Sequence, residues 1–508
     1  MTVEKQMAEL KLRLREISDL EGAGAVLAWD QSTYMPPGGV KARGRQMATL
    51  TRLAHEKLID PAVGKLLDDL RPYEESLPYD SNDASLIRVT RRDFERAIHV
   101  PPSLQAEIWQ HGAESHQVWL AARPDNDFSA VAPYLEKTIA YSVQLADCFP
   151  GYNHPADPLI DMSDEGMTAA AISDLFQELR QELVPLVQAI SAQAPPEDAF
   201  LYESYLPQEQ LDFGLRIAKD YGYDMKRGRQ DLAGHPFMIA FSPDDVRITT
   251  RVDSNNLNDA LFSTLHETGH GLYEQGVAHE LEGTPLAGGT SSGVHESQSR
   301  LWENLIGRSY ELWSHYYPDL QAQFPAQLRA VPLEAFYRAI NKVEPSLIRT
   351  EADEVTYNLH VMIRFDLELA LLEGRLKVKD LPEAWHARYE HDLGLHAPSD
   401  VDGVLQDIHW FWGLVGGAFQ GYTLGNIMAG AFFDAALKDN PQIPEQVAQA
   451  DFAPLLAWMH DNIYQYGRKF TPDELVQRVT GGPLSIEPYM RYLRQKYGRL
   501  YGLELFSS

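Results

Sequence analysis

A single cysteine, Cys148, stands among 508 residues. That excludes an intramolecular disulfide and a cysteine-built zinc centre, so any metal must be held by His, Asp and Glu. The thiol precedes Phe149 and Pro150 and is expected to be a buried structural group rather than a nucleophile. Positive charge is also scarce: 44 Lys and Arg stand against 73 Asp and Glu, a formal charge of −29. Such a surface repels phosphate backbones and anionic lipid, which argues against nucleic-acid and membrane partners. Long apolar runs are nearly absent. The stretch 410–433 is apolar, with Gly413, Gly417, Gly421 and Gly425 at small-xxx-small spacing. Gln420 and Asn426 interrupt it and no basic flank anchors it, so a buried, closely packed helix is expected there. The first 19 residues lack an apolar h-region; no signal peptide is expected, and the cytoplasm is the default compartment. Repeats, low-complexity segments and flexible linkers are lacking too, so 1–508 reads as one unit.

What is there is mainly helix. Leu10, Leu12, Leu14, Ile17 and Leu20 among charges predict an amphipathic opening helix, and similar patterns recur to the C-terminal end. One region differs. The run 237–241, the turn 242–245 and the alternating Val246, Ile248, Thr250 and Val252 read as a small β-hairpin. A lone hairpin is marginal, so it must pack on a helix or find a third strand. A helix over 255–275 follows, capped by Ser254 or Asn255 and ended by Gly276. A second helix begins near Val294 after a glycine-rich loop.

The first of these helices contains His266-Glu267-Thr268-Gly269-His270, an H-E-x-x-H pattern. Residues four apart lie about 40° apart round a helix and about 6 Å along it, so both imidazoles can reach one metal. Glu267 points about 100° away, within reach of a water at the metal without being a ligand. A zinc ion lowers the pKa of such a water to about 7, and the glutamate can take its proton during attack on a carbonyl. Gly269 costs about 1 kcal/mol relative to Ala inside a helix, so close approach of another backbone or of substrate is expected there. A third ligand is needed. Tyr273 and Gly276 occupy the positions a metzincin would fill with Gly and His, so that class is excluded. Glu274, Glu280, Glu282, Glu296 and Glu303 are candidates, and Glu296, which opens the next helix, is preferred. Three ligands leave one position open for water.

His266–His270 followed by His295-Glu-Ser-Gln-Ser-Arg-Leu-Trp-Glu-Asn304 resembles the M32 metallocarboxypeptidases of the carboxypeptidase Taq type. His235-Pro236-Phe237 is similar to that family's HPF motif, and Asp245-Val-Arg247-Ile-Thr249 to DxRxT. Ile348-Arg349-Thr-Glu-Ala352-Asp353 matches IRxxAD, and Gly403-Val-Leu-Gln406-Asp407-Ile-His409-Trp410 matches GxxQDxHW. The segment Trp29–Pro36 resembles the family's N-terminal segment, and no motif position departs from the pattern. The resemblance implies a large helical peptidase fold with a long substrate groove and a small antiparallel sheet or hairpin beside the H-E-x-x-H helix. It further implies a homodimer, a zinc or cobalt ion, and stepwise release of C-terminal residues from peptides or unfolded C-terminal segments. Specificity would be broad and action near proline poor.

On this reading His266, His270 and Glu296 hold the metal and Glu267 is the general base. A carboxypeptidase must also bind the terminal carboxylate, which a planar guanidinium matches best. Arg349 is assigned to it, against an ion pair with Glu351 or Asp353. The resemblance assigns His409 and Tyr422 to the developing oxyanion and His235 to the substrate backbone or the hairpin. Gln406 and Asp407 are expected to fix ring orientations. His386, His391 and His396 share no helical face and form no second metal site, and Trp385, Trp410 and Trp412 are read as core. The rival readings are a metallo-oligopeptidase of related fold and a catalytically inactive peptide-binding protein.

Overall fold

The computed structural model describes residues 1–503. The fold is built from two apolar clusters of unequal size. Helices Val3–Thr33, Val40–Leu58, Pro61–Ser76 and Asn82–His99 form an N-terminal layer. Met7, Leu10, Leu14 and Ile17 meet Val63, Leu67, Leu70, Leu86 and Ile87 inside it. Leu12, about 200° round the helix from Leu10, faces solvent instead. This small cluster also receives Val277, Leu281 and Leu286, from the loop that leaves the H-E-x-x-H helix. All the later helices share one much larger core. Ion pairs line the seam between the two: Arg92 with Glu165, Arg96 with Asp161, and Arg468 with Asp93 at 3.1 Å.

The sheet has three strands, β1 Gly228–Leu232, β2 Met238–Ser242 and β3 Asp245–Thr250, in the order β1-β3-β2. β2 and β3 form the expected antiparallel hairpin, with Met238 opposite Ile248. The third strand corrects the antiparallel expectation: β1 runs parallel to β3, with Gly228 opposite Val246, so the sheet is mixed. Its sequence, Gly-Arg-Gln-Asp-Leu, carries no β-branched alternation and gave no strand signal. Val246 and Ile248 are buried, and Thr250 Oγ1 lies 3.0 Å from Ser263 Oγ, which fixes the sheet along the H-E-x-x-H helix. Arg247 turns the other way, its guanidinium 4.4 Å from the centre of the Trp29 ring, and so docks the first helix on the sheet.

The helix expected at 255–275 spans Leu257–Gln275, and its cap is Asn256, whose side chain accepts the Asn258 N–H at 3.1 Å. Gly276 ends it without a left-handed φ. A Cβ there would lie 2.7 Å from Tyr464 Cβ, so tight packing, not backbone freedom, calls for glycine. The next helix starts at Ser292, two residues early, capped by Ser291. It continues through a π-helical turn, Leu301–Ile306. The apolar stretch does become a buried helix, Gln420–Asp439. A Cβ on Gly425 would stand 2.6 Å from Glu296 Cβ, and one on Gly421 3.1 Å from Ser292 Cβ, so the glycine stripe seats Ser292–Arg300. Among the described residues no helix is long and apolar enough to cross a membrane.

Two minor expectations fail. Cys148 lies just beyond the end of helix Phe128–Ala146 and is half-exposed rather than buried. Trp412 is exposed where the chain turns at Gly413, although Trp385 and Trp410 are core. His386 and His396 meet in space, their rings stacked 4.4 Å apart where the chain folds back after Gly394, without sharing a helix.

Candidate metal centre and active site

His266 and His270 project from one face of helix Leu257–Gln275 with ring centres 5.0 Å apart. The Oε2 atom of Glu296 lies 3.7 Å from His266 Nε2 and 3.4 Å from His270 Nε2. The three donor atoms all lie within 4.8 Å of one another, and no other His, Cys, Asp and Glu group among the described residues converges in this way. Gly269 makes the approach of the two helices possible. A Cβ there would stand 2.5 Å from the Gln298 carbonyl oxygen and 2.7 Å from Ser299 Cα, so the expected close neighbour is the backbone of the glutamate helix.

The remaining glutamate candidates sort by what they touch. Glu303, in the π-helical turn, lies 2.9 Å from His266 Nδ1. Glu274 lies one turn beyond His270 and acts through an intermediate, His295. His270 Nδ1 is 2.6 Å from His295 Nδ1, and His295 Nε2 is 2.9 Å from Glu274 Oε1. With the His270 Nε2 lone pair free for a metal, its Nδ1–H donates to His295, and His295 Nε2–H donates to Glu274. Both imidazoles therefore have their orientation and tautomer set from behind. Glu280 and Glu282 are exposed in the loop. The role of His295 was not anticipated; its signal was its place beside Glu296 and the four-residue step from His270 to Glu274.

Arg300 donates to Glu296 Oε1 at 2.7 Å and reaches Glu303 Oε2 at 3.3 Å. Burial opposes ionisation of Glu296, but Arg300 and the two imidazoles override it and hold the carboxyl well below the usual range. Burial likewise opposes Glu303, which His266 and Arg300 bring down to about 2. Burial lowers His270 to about 4, which keeps its ring neutral, as a ligand must be. Glu267 differs from its neighbours: burial, reinforced by the Glu296 and Glu303 charges against the pull of His266, raises it to about 7. It is 5% exposed, and it is the one acid of the site that makes no hydrogen bond to a protein donor among the described residues.

A second group combines loop residues with side chains from two helices, Tyr357–Leu372 and Gln420–Asp439. Arg349, in the short turn Arg349–Glu351, is buried. Its Nε and Nη2 donate to Asp407 Oδ1 at 3.1 and 2.9 Å, and its Nη1 donates to the Tyr357 hydroxyl at 2.9 Å. Its partner is thus Asp407, not Glu351 or Asp353. Arg364 engages the other oxygen of Asp407 and donates to Gln406 Oε1 at 2.8 Å. Gln406 and Asp407 therefore hold guanidinium groups, and Asp407 also faces a ring as expected, its Oδ1 3.7 Å from His409 Nδ1. Burial opposes ionisation of Asp407, and Arg364 and Arg349 hold it well below the carboxylate range. Two arginines share this one carboxylate, which leaves one positive charge in excess. His409 and Tyr422 face one another, Nε2 to hydroxyl, at 3.4 Å. The Tyr422 ring centre is 5.3 Å from the Arg349 guanidinium carbon, and Glu296 is among the charges acting on its hydroxyl. His235 stands apart: it is exposed on the loop between β1 and β2, its Nδ1 2.7 Å from the Pro236 carbonyl oxygen, and among the described residues it touches neither group.

The model of the carboxypeptidase Taq (M32) metallopeptidases matches residues 9–497. The chain belongs to that family. It is 42% identical to thermostable carboxypeptidase 1 of Thermus thermophilus, over 99% of this chain and all of the relative. Carboxypeptidase 1 of Bacillus subtilis is 33% identical over 98% of this chain and 99% of its own. The crystal structure of the M32 carboxypeptidase from Deinococcus radiodurans R1 superposes with a TM-score of 0.95 at 50% identity, covering 98% and 100% of the two chains. The protein is therefore a metallocarboxypeptidase, an enzyme that needs a divalent metal and acts on peptides. The M32 membership and the donor set agree: two imidazole nitrogens and one carboxylate oxygen suit a divalent metal ion.

Proposed function

We propose that this M32 enzyme releases single C-terminal amino acids from peptides or unfolded C-terminal segments, with broad specificity and poor action near proline. His266, His270 and Glu296 hold a zinc or cobalt ion, and the observation that carries this is their convergence beside the free carboxyl of Glu267. When bound, the ion polarises the scissile carbonyl and acidifies water. Glu267 accepts the proton of the attacking water and returns it to the leaving amine, a task for which its carboxyl is free because no protein donor among the described residues occupies it. Tyr422 and His409 donate hydrogen bonds to the carbonyl oxygen as negative charge develops on it. Arg349 receives the terminal carboxylate, supported by the excess positive charge that Arg364 adds around Asp407. His235 is assigned to the substrate backbone at the outer rim. The enzyme works as one unit over 1–508, as a homodimer in the cytoplasm, without nucleic-acid or membrane partners.

The deciding assay compares an N-blocked dipeptide with free and amidated C-termini, on metal-free protein and on protein reloaded with Zn²⁺ or Co²⁺. Release of the last residue from the free acid alone, and only with metal, is the expected result. Cleavage of both forms would transfer the enzyme to the oligopeptidases and remove Arg349 from its role.

A further inference from the structure

A carboxylate outside every motif ties the two catalytic helices together. Asp164 follows the short helix Asp157–Ser163 and is completely buried. Its Oδ1 accepts the Gly293 N–H at 2.7 Å, in the first turn of the helix that carries His295 and Glu296. Its Oδ2 accepts from Gln420 Nε2 at 3.2 Å and from the Ser163 hydroxyl at 3.2 Å. Gln420 is the first residue of the helix that carries Tyr422. The carboxyl fills space that both helices leave open by having glycine there. A Cβ on Gly293 would stand 3.0 Å from Oδ1, and one on Gly421 3.6 Å from Oδ2. No basic side chain forms an ion pair with Asp164 among the described residues, so this is a buried acid whose place is justified only by the donors it gathers. Its chain neighbours are held from the far side as well. Asp161 and Glu165 pair with Arg96 and Arg92 of the helix Asn82–His99.

We propose that Asp164 is a positioning residue for the hydrolysis: one carboxylate fixes the first turns of both helices, and so sets Glu296 and His295 against Tyr422. The inference rests on the ligand and donor roles proposed above. Its two arms act on different things. The Gly293 arm governs the metal side, and the Gln420 arm governs the oxyanion side.

The test uses full-length protein well below its melting temperature, with kcat and KM on the N-blocked dipeptide and metal loss to a competing chelator. Asp164→Ala, which removes both acceptor oxygens, is expected to lower kcat and to speed metal loss, each about tenfold or more, with KM within about threefold. Gln420→Met, which leaves the Gly293 arm in place and removes the Gln420 bonds to Asp164, to Ser163 Oγ and to the Gly417 carbonyl, is expected to lower kcat about tenfold and to shift the alkaline limb of its pH profile, with metal retention within about twofold of wild type. An acid that serves only stability would lower the melting temperature and leave kcat per folded molecule and metal retention unchanged; that result overturns the proposal. If Asp164→Ala does not fold, Gln420→Met decides, and wild-type kcat in that variant overturns it. Failure of the underlying ligand reading is separately visible, because His270→Ala would then retain metal as wild type does.

Discussion

The two halves of the active site are held by different means. The metal half stands on two long helices, and each imidazole is aimed by a carboxylate, directly for His266 and through His295 for His270. The carboxylate half takes Arg364 and Tyr422 from long helices, Tyr357–Leu372 and Gln420–Asp439, but Arg349 from a three-residue turn, Asp407 from an irregular loop and His409 from the four-residue helix His409–Trp412. There one buried aspartate, shared between two arginines, does what helix geometry does in the other half. Helical spacing positions the chemistry on one side and buried charge positions it on the other, so the two halves should fail differently.

The sharpest contrast comes from removing one acid from each half. Glu267→Gln keeps shape and ligands and is expected to lower kcat about 10³-fold, about 4 kcal/mol of barrier, with metal content unchanged by elemental analysis. Activity within tenfold of wild type would remove Glu267 as the base. Asp407→Asn should instead weaken the fold, because Arg349 and Arg364 are left buried without their counter-charge. About 3 kcal/mol of stability is expected to be lost in urea unfolding, with metal retention little changed. A variant as stable as wild type would mean that water or another group already compensates the arginines.

Packing tests the helical half more gently. Gly425→Ala puts a methyl 2.6 Å from Glu296 Cβ, against a helix that cannot yield freely. A loss of about 2 kcal/mol in stability is expected, with faster metal loss to chelator. An unchanged melting temperature would show that the glutamate helix has room to shift.

The smallest effect is one of pH. His360 is buried beneath the carboxylate half, where burial and the Arg364 and Arg349 charges hold it well below the usual imidazole range. It is neutral when folded, and the unfolded chain takes up the proton near pH 6.5. The unfolded state therefore binds more protons below that pH, and stability falls as pH drops, by up to about 1.4 kcal/mol per unit, until the folded ring itself titrates. His360→Gln should flatten this slope in urea titrations between pH 7 and 5. A slope equal to wild type would assign the acid sensitivity elsewhere.

The contrast between the halves also explains what could be read from the sequence. His266, Glu267 and His270 were legible because a regular helix converts spacing into direction, and Gly269 announced the close contact beside them, whereas Glu296, on another helix, was preferred among five glutamates only for its place at the start of that helix. His409 and Tyr422 could be singled out by resemblance but not by periodicity, since a loop and two left-handed glycines, Gly416 and Gly417, separate them. The pairing of Arg349 with Asp407 joins positions 58 apart in sequence and leaves no local signature. β1 was invisible because its residues have little strand preference and its partner, β3, lies across a hairpin. Asp164 sits in no motif, and only the meeting of two glycine-bearing helix ends gives it meaning.

One feature of the loop after the H-E-x-x-H helix reaches beyond catalysis. Between His270 and Glu296 the chain leaves the large core, lodges Val277, Leu281 and Leu286 in the small N-terminal cluster, and returns. With both residues on one ion, that excursion becomes a closed ring threaded through the smaller core. In chain-entropy terms the ion is then a crosslink, whose loss frees the ring and with it the apolar anchor of the first four helices. Withdrawal of the metal should thus be felt first as loosening near Leu10 and Leu67, far in sequence from any ligand.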